Sequence, residues 1–211
     1  MSPFQISRAV AELRKAHGLA GDNSGLGHDI ERELRATERQ AALALRLPAL
    51  LRGEDQPKNA AERLDFGLLC CNLKRFSASA RLFAEAFQSD PKLAEGMQVQ
   101  NRYNATCTAA LAGCGQGKDE PPADEGARAR WRKQAIDWLK ADLAFWTKQV
   151  EAGPQQARAA VMQTLQHWKA DTDLAGIREE SALAKLPEDE RKACRALWAE
   201  VEVLLKKAQS P

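Results

Sequence analysis

The chain has 211 residues, with 31 lysines and arginines, 29 aspartates and glutamates, and a formal net charge of +2. A charge balance this close to neutral gives no electrostatic reason to expect binding to nucleic acid or to an anionic membrane. Apolar runs such as Ala41–Leu45 are far shorter than the roughly 18 residues of a membrane helix. The first residues also do not form a signal peptide. We therefore expect a cytoplasmic protein without a membrane partner.

Alanine and leucine are frequent along the chain, whereas valine, isoleucine and threonine are scarce, which favours helices over strands. We therefore predict an all-α chain of about eight helices. Their expected ranges, in chain order, are 4–19, 29–47, 60–73, 77–88, 101–112, 127–152, 154–170 and 187–207. Pro48 is expected to end the second helix and to start a short extra turn that reaches Gly53.

The connection between the fifth and sixth predicted helices is unusually long. It reads GCGQGKDEPPADEG over residues 113–126, and its glycines, prolines and charged residues predict a loop. Its glycines and lysine do not follow the order of a phosphate-binding loop, and no predicted strand precedes them. We therefore expect an insertion that binds no phosphate.

A possible repeat unit lies between Ala60 and Lys92, where two predicted helices are joined by a tight turn and end in Asp-Pro. Gly67 stands in the middle of the first of these helices, where it costs about 1 kcal/mol relative to alanine. A glycine tolerated at that cost suggests that another backbone passes close to it.

This unit resembles the tetratricopeptide repeat, a hairpin of two helices called A and B. In that family a small residue of helix A meets a small residue of helix B, and Gly67 and Ser79 fill these positions here. Arg63 and Cys70 stand where the family has tryptophan and tyrosine. The resemblance implies a short α-solenoid of helical hairpins. The positions implied to pack the pair are Gly67, Phe76, Ser79, Phe83, Ala86 and Pro91.

Fainter copies of the helix-B spacing flank this unit. Ala9, Leu13 and Ala16 repeat its steps of four and three residues, and residues 135, 139 and 142 repeat them again, with an aspartate at the last position. We expect a single all-α domain over residues 1–211. Its expected parts are a first helical pair at 1–53, the best-matching repeat at 60–92, a divergent repeat at 98–152 with the inserted loop at 113–126, and a C-terminal helical pair at 153–211.

From about Phe4 to Lys207 the chain also resembles the C-terminal helical segment of certain large bacterial proteins. In many of those, a serine/threonine protein kinase domain precedes tetratricopeptide repeats. Segments that carry the likeness include RYNATCTAALAGCGQGKD and QAIDWLKADLAFW. The resemblance implies a regulatory or scaffolding region beside a kinase. It transfers no catalytic residue, because the chain has no glycine-rich phosphate loop and no HRD or DFG motif.

The sequence predicts no metal, cofactor or catalytic site. His17, His28 and His167 have no second ligand at metal-binding spacing and no local cysteine partner for nucleophilic catalysis. The cysteines are odd in number and match no zinc pattern, so we expect reduced and partly buried thiols. They are Cys70, Cys71, Cys107, Cys114 and Cys194. We therefore expect a protein that is not an enzyme.

The function expected from these patterns is a protein–protein interaction or scaffolding module. By repeat geometry, the helix-A faces of the second and third pairs line a concave surface that receives a protein or peptide partner. The side chains expected to be exposed there are Asp65, Leu68, Asn72, Asn101, Asn104 and Thr108. Asparagine amides can bond the backbone of an extended peptide, so we expect Asp65→Ala and Asn104→Ala to weaken binding.

The alternative is an enzyme or a small-ligand-binding bundle with a pocket between the sixth and eighth predicted helices. A buried cavity ringed by polar groups would favour this alternative, whereas an open groove would favour the interaction module. The basic residues at the start of the sixth helix are expected on a solvated face, with binding of a phosphorylated ligand as a minor alternative. They are Arg128, Arg130, Arg132 and Lys133.

The first predicted helix reads as a helix B without its helix A, so we expect the chain to begin in mid-repeat. Phe4, Ile6, Val10 and Leu13 form an apolar face that the second helix alone cannot cover. Leaving such side chains exposed costs about 1.5–3 kcal/mol each relative to burial. Either this helix packs elsewhere on its own chain or two copies of the chain associate through it, and we expect association.

Overall fold

The computed structural model of the chain describes residues 3–20, 25–95, 100–152 and 155–209. Within these ranges every regular element is a helix, which confirms the all-α prediction. The elements are α1 (Pro3–Ala20), α2 (Gly25–Leu51), α3 (Ala60–Asn72), α4 (Phe76–Ser89), α5 (Lys92–Glu95), α6 (Asn101–Gly113), α7 (Glu125–Ala152), α8 (Gln155–Ala170), the 3-10 helix η1 (Thr172–Ile177), α9 (Glu180–Leu183) and α10 (Glu188–Gln209). Each predicted helix has a counterpart here, and the short α5, η1 and α9 were not predicted.

The second helix continues through Pro48 to Leu51, so the predicted break at this proline is wrong. Leu43, Leu47 and Leu50, spaced by four and three residues, place one face of α2 in a buried cluster. Burial of leucines on this face, at about 1.5–3 kcal/mol each, offsets the roughly 3 kcal/mol that an interior proline costs. Continuing the helix therefore keeps Leu50 in the core.

The first helix packs along α2, and Arg14 Nη2 lies 2.6 Å from Glu38 Oε1 between them. Val10 and Leu13 are half-buried. The side chains of Phe4 and Ile6 lie outside the part of the chain that the structure describes. Self-association through this helix therefore stays a prediction.

Arg46 fastens α2 to the chain that follows it. Its Nε lies 2.7 Å from Asp55 Oδ2, and its Nη1 lies 2.6 Å from Glu62 Oε1 on α3. Its guanidinium also lies 5.3 Å from the centroid of the Phe66 ring. The buried leucines of α2 meet Phe66 and Leu82 in one hydrophobic cluster. As a result α2 is joined to both helices of the α3–α4 pair.

Helices α3 and α4 approach each other closely at Gly67 and Ser79. Ser79 is fully buried, and its hydroxyl donates a 2.7 Å hydrogen bond to the Gly67 carbonyl oxygen. A Cβ atom on Gly67 would already lie in contact with the Phe83 ring, 3.4 Å from its Cδ2, so the further atoms of a large side chain would collide with that ring. Phe83 and Ala86 are also fully buried, whereas Pro91 is exposed in the turn after α4.

Replacing Gly67 with leucine should force α3 and α4 apart, because the added side chain meets the Phe83 ring. We expect the free energy of unfolding to fall by about 1–3 kcal/mol or more, as measured by thermal unfolding. Gly18→Leu is the matched control, since nothing lies within 4 Å of a Cβ atom at that position in α1. An unchanged midpoint for Gly67→Leu would contradict this packing and the repeat register that rests on it.

The larger hydrophobic core is built around α6, which packs against α4, α7 and η1. All of its residues are buried except Arg102 and Asn104, which are half-buried. At its end, a Cβ atom on Gly113 would lie 2.8 Å from the backbone nitrogen of Arg132 in α7. Helices α7, α8 and α10 pack together beyond this contact. None of the described helices is both long enough and apolar enough to span a membrane.

The long loop between α6 and α7 folds back onto the turn that joins α3 and α4. Asp119 in this loop accepts hydrogen bonds from the backbone nitrogens of Ser77 and Ala78, at 2.9 Å and 3.0 Å. Gly117, with a φ of +115°, lies against the half-buried Phe76 ring. The inserted loop therefore supplies the carboxylate that caps the N-terminus of α4.

Candidate functional site

A groove with a volume of about 190 Å³ lies between α2 and α3, and we call it the α2–α3 groove. Its α2 side consists of Ala36, Arg39, Gln40 and Leu43, and its α3 side of Asp65, Leu68, Leu69 and Asn72. Three of the six predicted partner-binding residues therefore lie together in one groove, beside residues of α2 that the sequence did not single out.

Helical spacing explains why α3 presents these side chains together. Asp65, Leu68 and Asn72 are three and four residues apart, so they share one face of the helix. The intervening positions Phe66 and Cys70 are fully buried in the core. The packing of one side of α3 thus directs the other side toward the groove.

The groove combines an apolar surface with charges of both signs. Leu68 is half-buried, and Arg39 and Asp65 place opposite charges on the two helices. Burial raises the pKa of the Asp65 carboxyl above its ordinary value, and the charge of Arg39 acts in the opposite direction. Gln40 and Asn72 add amides that both donate and accept hydrogen bonds. This arrangement can hold a polypeptide segment by its backbone and by one apolar side chain.

Two of the predicted partner-binding residues of α6 are not accessible. Asn101 is 9 % exposed, and its Nδ2 donates to the Leu93 carbonyl oxygen at 3.0 Å. Thr108 is fully buried, and its hydroxyl donates to the Ala105 carbonyl oxygen at 2.9 Å. The prediction that these two side chains are exposed is therefore wrong. Asn104 is half-buried.

The face of α6 that carries Tyr103 and Cys107 is covered by the segment from Asp171 through η1. The Tyr103 hydroxyl donates to Asp171 Oδ2 at 2.6 Å, and Leu174 is fully buried. At Gly176, a Cβ atom would lie only 2.0 Å from Cys114 Sγ, so the segment can pass this close only with a glycine there. Because α4, α7 and η1 all pack against α6, Thr108 has no solvent access.

A second pocket, with a volume of about 290 Å³, lies between α6, α7 and α8, and we call it the α6–α8 pocket. Its polar and aromatic lining consists of Gln100, Arg102, Tyr103, Asp142, Trp146, Gln163, Thr164, His167 and Trp168. The alternative prediction placed a pocket between the helices that are now α7 and α10. Those two helices border an apolar surface groove over Leu143 and Leu204. The pocket with polar walls therefore lies elsewhere than predicted.

One wall of the α6–α8 pocket carries a buried ion pair. Arg102 Nε donates to Asp142 Oδ1 at 2.5 Å, and Asp142 is 1 % exposed. Burial raises the pKa of the Asp142 carboxyl, and the charge of Arg102 opposes that rise. Asp142, the aspartate in the fainter repeat copy, is therefore the ion-pair partner of Arg102 on α6. The local sequence pattern did not indicate this pairing.

The basic cluster at the start of α7 does not form one solvated face. Arg132 is 3 % exposed, and its guanidinium bonds Glu125, Glu190 and the Gly113 carbonyl oxygen. The expectation of solvation is therefore wrong for this arginine, which ties α7 to α10 and to the end of α6. Lys133 is exposed, as expected.

The five cysteines are free thiols. Burial raises the pKa of each of them, to about 12 for Cys70 and to about 11 for Cys194. The thiolate is the reactive form of cysteine, so these groups are poor nucleophiles near neutral pH. Among the described residues, no cluster of histidine, cysteine and acidic side chains could hold a metal ion.

We expect thiol reagents such as DTNB to label the native protein slowly at about pH 7.5, at least about tenfold more slowly than the urea-unfolded chain, because burial raises the thiol pKa values. The rate should rise as the pH rises, since more thiolate forms. Cys71 and Cys114, which are half-buried, should react before Cys107 and Cys194. Rapid labelling of Cys194 in the native protein at neutral pH would contradict its burial.

No family model, curated protein or solved structure matches this chain. The fold and the sites define a class of protein: an all-α chain with a mixed polar and apolar groove between α2 and α3, and an aromatic, polar pocket between α6 and α8.

Proposed function

We propose that the chain is a non-enzymatic protein–protein interaction or scaffolding module, built from tetratricopeptide-like helical hairpins. In this proposal the α2–α3 groove binds an extended segment of a protein partner. The observation that carries it is the grouping of Asp65, Leu68 and Asn72, which the repeat pattern assigns to the partner-binding face, in one groove with side chains of α2.

The chemistry of the groove suits an extended peptide. Such a segment presents backbone N–H and C=O groups, which the amides of Gln40 and Asn72 can bond from opposite sides. Leu68 offers an apolar contact for one side chain of the peptide. Arg39 favours a negative charge of the partner at the α2 side of the groove, and Asp65 favours a positive charge at the α3 side. We therefore expect a partner segment with an apolar residue flanked by charged ones.

The close packing of α3 and α4 supports the tetratricopeptide-like part of the proposal. Gly67 and Ser79 meet as the two small residues of such a hairpin do, and Phe83 fills the space beside them. The resemblance is weaker after α6, because the short 3-10 helix η1, and not a further helical hairpin, covers one face of α6. The binding surface is therefore assigned to the N-terminal half of the described chain.

We further propose that the module works in the cytoplasm as part of a larger bacterial signalling protein, where it regulates a serine/threonine kinase domain. The support for this role is the resemblance of the helical segments to those that follow such kinases. Removing the module from its parent protein should change the activity of the kinase. Equal kinase activity with and without the module would remove this role.

Selection of peptides from a phage-displayed random library on the immobilised chain tests the groove. We expect enriched peptides whose binding falls at least about tenfold in Leu68→Asp, because a charge replaces the apolar contact, and also in Asp65→Ala. Ala61→Asp is the matched control, since Ala61 is exposed on the same helix outside the groove. Affinities are measured by fluorescence anisotropy of the labelled peptides.

The outcome also tests how far the surface extends. A loss of affinity in Asn104→Ala would extend the binding site to α6. Equal affinity of the wild type, Leu68→Asp and Asp65→Ala for every selected peptide would overturn the assignment of the groove. Failure to enrich any peptide would count against the proposed function itself.

A further inference from the structure

The α6–α8 pocket is rich in hydrogen-bond donors. Arg102 uses its Nε for Asp142, and within the described part of the chain no hydrogen bond engages its two terminal amino groups. Gln163 and Thr164 of α8 add an amide and a hydroxyl to the lining. The carboxylate of Asp142 already accepts from Arg102. An amide and a hydroxyl both donate and accept, whereas a guanidinium only donates, so the free amino groups of Arg102 favour an acceptor, and an anionic acceptor above all.

Flat aromatic surfaces form much of the remaining wall. Tyr103 stacks on Trp168 with the ring centroids 6.0 Å apart and the planes at 7° to each other. Trp146 of α7 is half-buried and lines the same pocket as Arg102. The Tyr103–Trp168 stack and the Trp146 indole line the same pocket. A planar ligand ring inside the pocket can therefore contact both.

We infer that the α6–α8 pocket is a second binding site, distinct from the α2–α3 groove, and that its ligand is a small aromatic carboxylate. The carboxylate accepts hydrogen bonds from the free amino groups of Arg102, and the ring lies against Trp146. The volume of about 290 Å³ suits a ligand with one ring and a short acidic side chain.

A cation is the competing ligand, because aromatic surfaces beside an acid also attract positive charge. Asp142 is the acid in question, but its carboxylate lies 2.5 Å from Arg102 Nε, so its charge is already neutralised. An ammonium ligand has no hydrogen-bond acceptor, so it cannot bond the unpaired donors of the pocket.

Titration of the wild-type chain with three probes that share one ring tests the inference: phenylacetate, phenylacetamide and 2-phenylethylamine. By isothermal titration calorimetry we expect phenylacetate to bind at least about tenfold more tightly than the neutral amide, because a charged acceptor strengthens its bonds to Arg102. The amine should show no saturable binding. Equal or tighter binding of the amide or the amine, or no saturation by phenylacetate at about 10 mM, would overturn the inference.

Two variants locate the site. Trp146→Leu should weaken phenylacetate binding at least about fivefold, whereas Trp131→Leu, which changes another half-buried tryptophan of α7 outside the pocket, should leave it unchanged. The double variant Arg102→Met with Asp142→Leu should lose the preference for the carboxylate over the amide. Retention of that preference in the double variant, or an equal effect of both tryptophan changes, would contradict the proposed site.

Discussion

Replacing Arg102 with methionine is expected to lower the free energy of unfolding by about 3–5 kcal/mol, because it leaves the carboxylate of Asp142 buried without a partner. Asp142 is 1 % exposed, and Arg102 Nε is its hydrogen-bond partner at 2.5 Å. A lone charge in such a site loses its hydration without compensation. The measurement is urea unfolding of the variant and the wild type at about pH 7.5.

The stability loss caused by Arg102→Met should depend on pH, in a direction set by the pKa of Asp142. Burial raises the pKa of the folded-state Asp142 carboxyl above its unfolded value, so the folded state binds this proton more tightly than the unfolded state. The contribution of this group to stability is therefore present at low pH and is lost as the pH rises through the folded-state pKa. Without Arg102 the pKa rises further. The destabilisation caused by Arg102→Met should accordingly be smaller at about pH 4.5 than at about pH 7.5.

A double-variant cycle separates the pair from its surroundings. Asp142→Leu combined with Arg102→Met removes both charges, and we expect the double variant to regain most of the stability that Arg102→Met loses. If the stability loss of the double variant equals the sum of the losses of the two single variants, the two side chains do not interact.

The second large effect is expected at Gly113, where α6 meets α7. A Cβ atom there would lie 2.5 Å from Arg132 Cγ and 2.8 Å from the Arg132 backbone nitrogen. Backbone cannot move aside as a flexible side chain can, so Gly113→Leu must separate the helices. We expect a loss of about 3 kcal/mol or more in the free energy of unfolding, because the added atoms overpack a tight contact.

Gly126→Leu is the control for this change, since Gly126 is exposed near the start of α7 and its nearest neighbour, Asp124 Oδ1, lies 3.4 Å from a Cβ atom. Both variants are compared with the wild type by denaturant unfolding. A midpoint for Gly113→Leu within error of the Gly126→Leu midpoint would show that α6 and α7 do not approach this closely.

Local patterns were sufficient to predict the α3–α4 hairpin. Its helices are adjacent in sequence, and the contact between Gly67 and Ser79 joins positions only twelve residues apart. The three α3 residues of the groove followed from the same helical periodicity. Features of this kind depend on residues within one hairpin, and a single sequence carries them.

Features that depend on distant partners were not predictable in this way. Asp142 meets an arginine 40 residues earlier in the chain, and Arg132 meets Glu190 58 residues later, so neither burial has a local signal. The cover of α6 by η1 is of the same kind. Buried Leu174 and Ile177 were its only local trace, and their spacing is too short to distinguish a helical turn from a loop.

The helix through Pro48 shows how tertiary packing overrides a local rule. Proline disfavours a helix interior, and the sequence therefore predicted an end there. The leucines on both sides of Pro48 enter the same hydrophobic cluster as Phe66 and Leu82, which lie on other helices. Their contribution exists only in the folded chain, so it was not visible in the second helix alone.

The most direct test of the central claim is to map, by NMR, where a selected peptide binds. Backbone amide signals of the isotope-labelled chain are followed as the peptide is added. The proposal predicts that the largest shift changes cluster at Arg39, Gln40, Asp65, Leu68 and Asn72, the residues of the α2–α3 groove. Shift changes confined to the α6–α8 pocket or to the apolar surface between α7 and α10, with the α2–α3 groove unaffected, would contradict it.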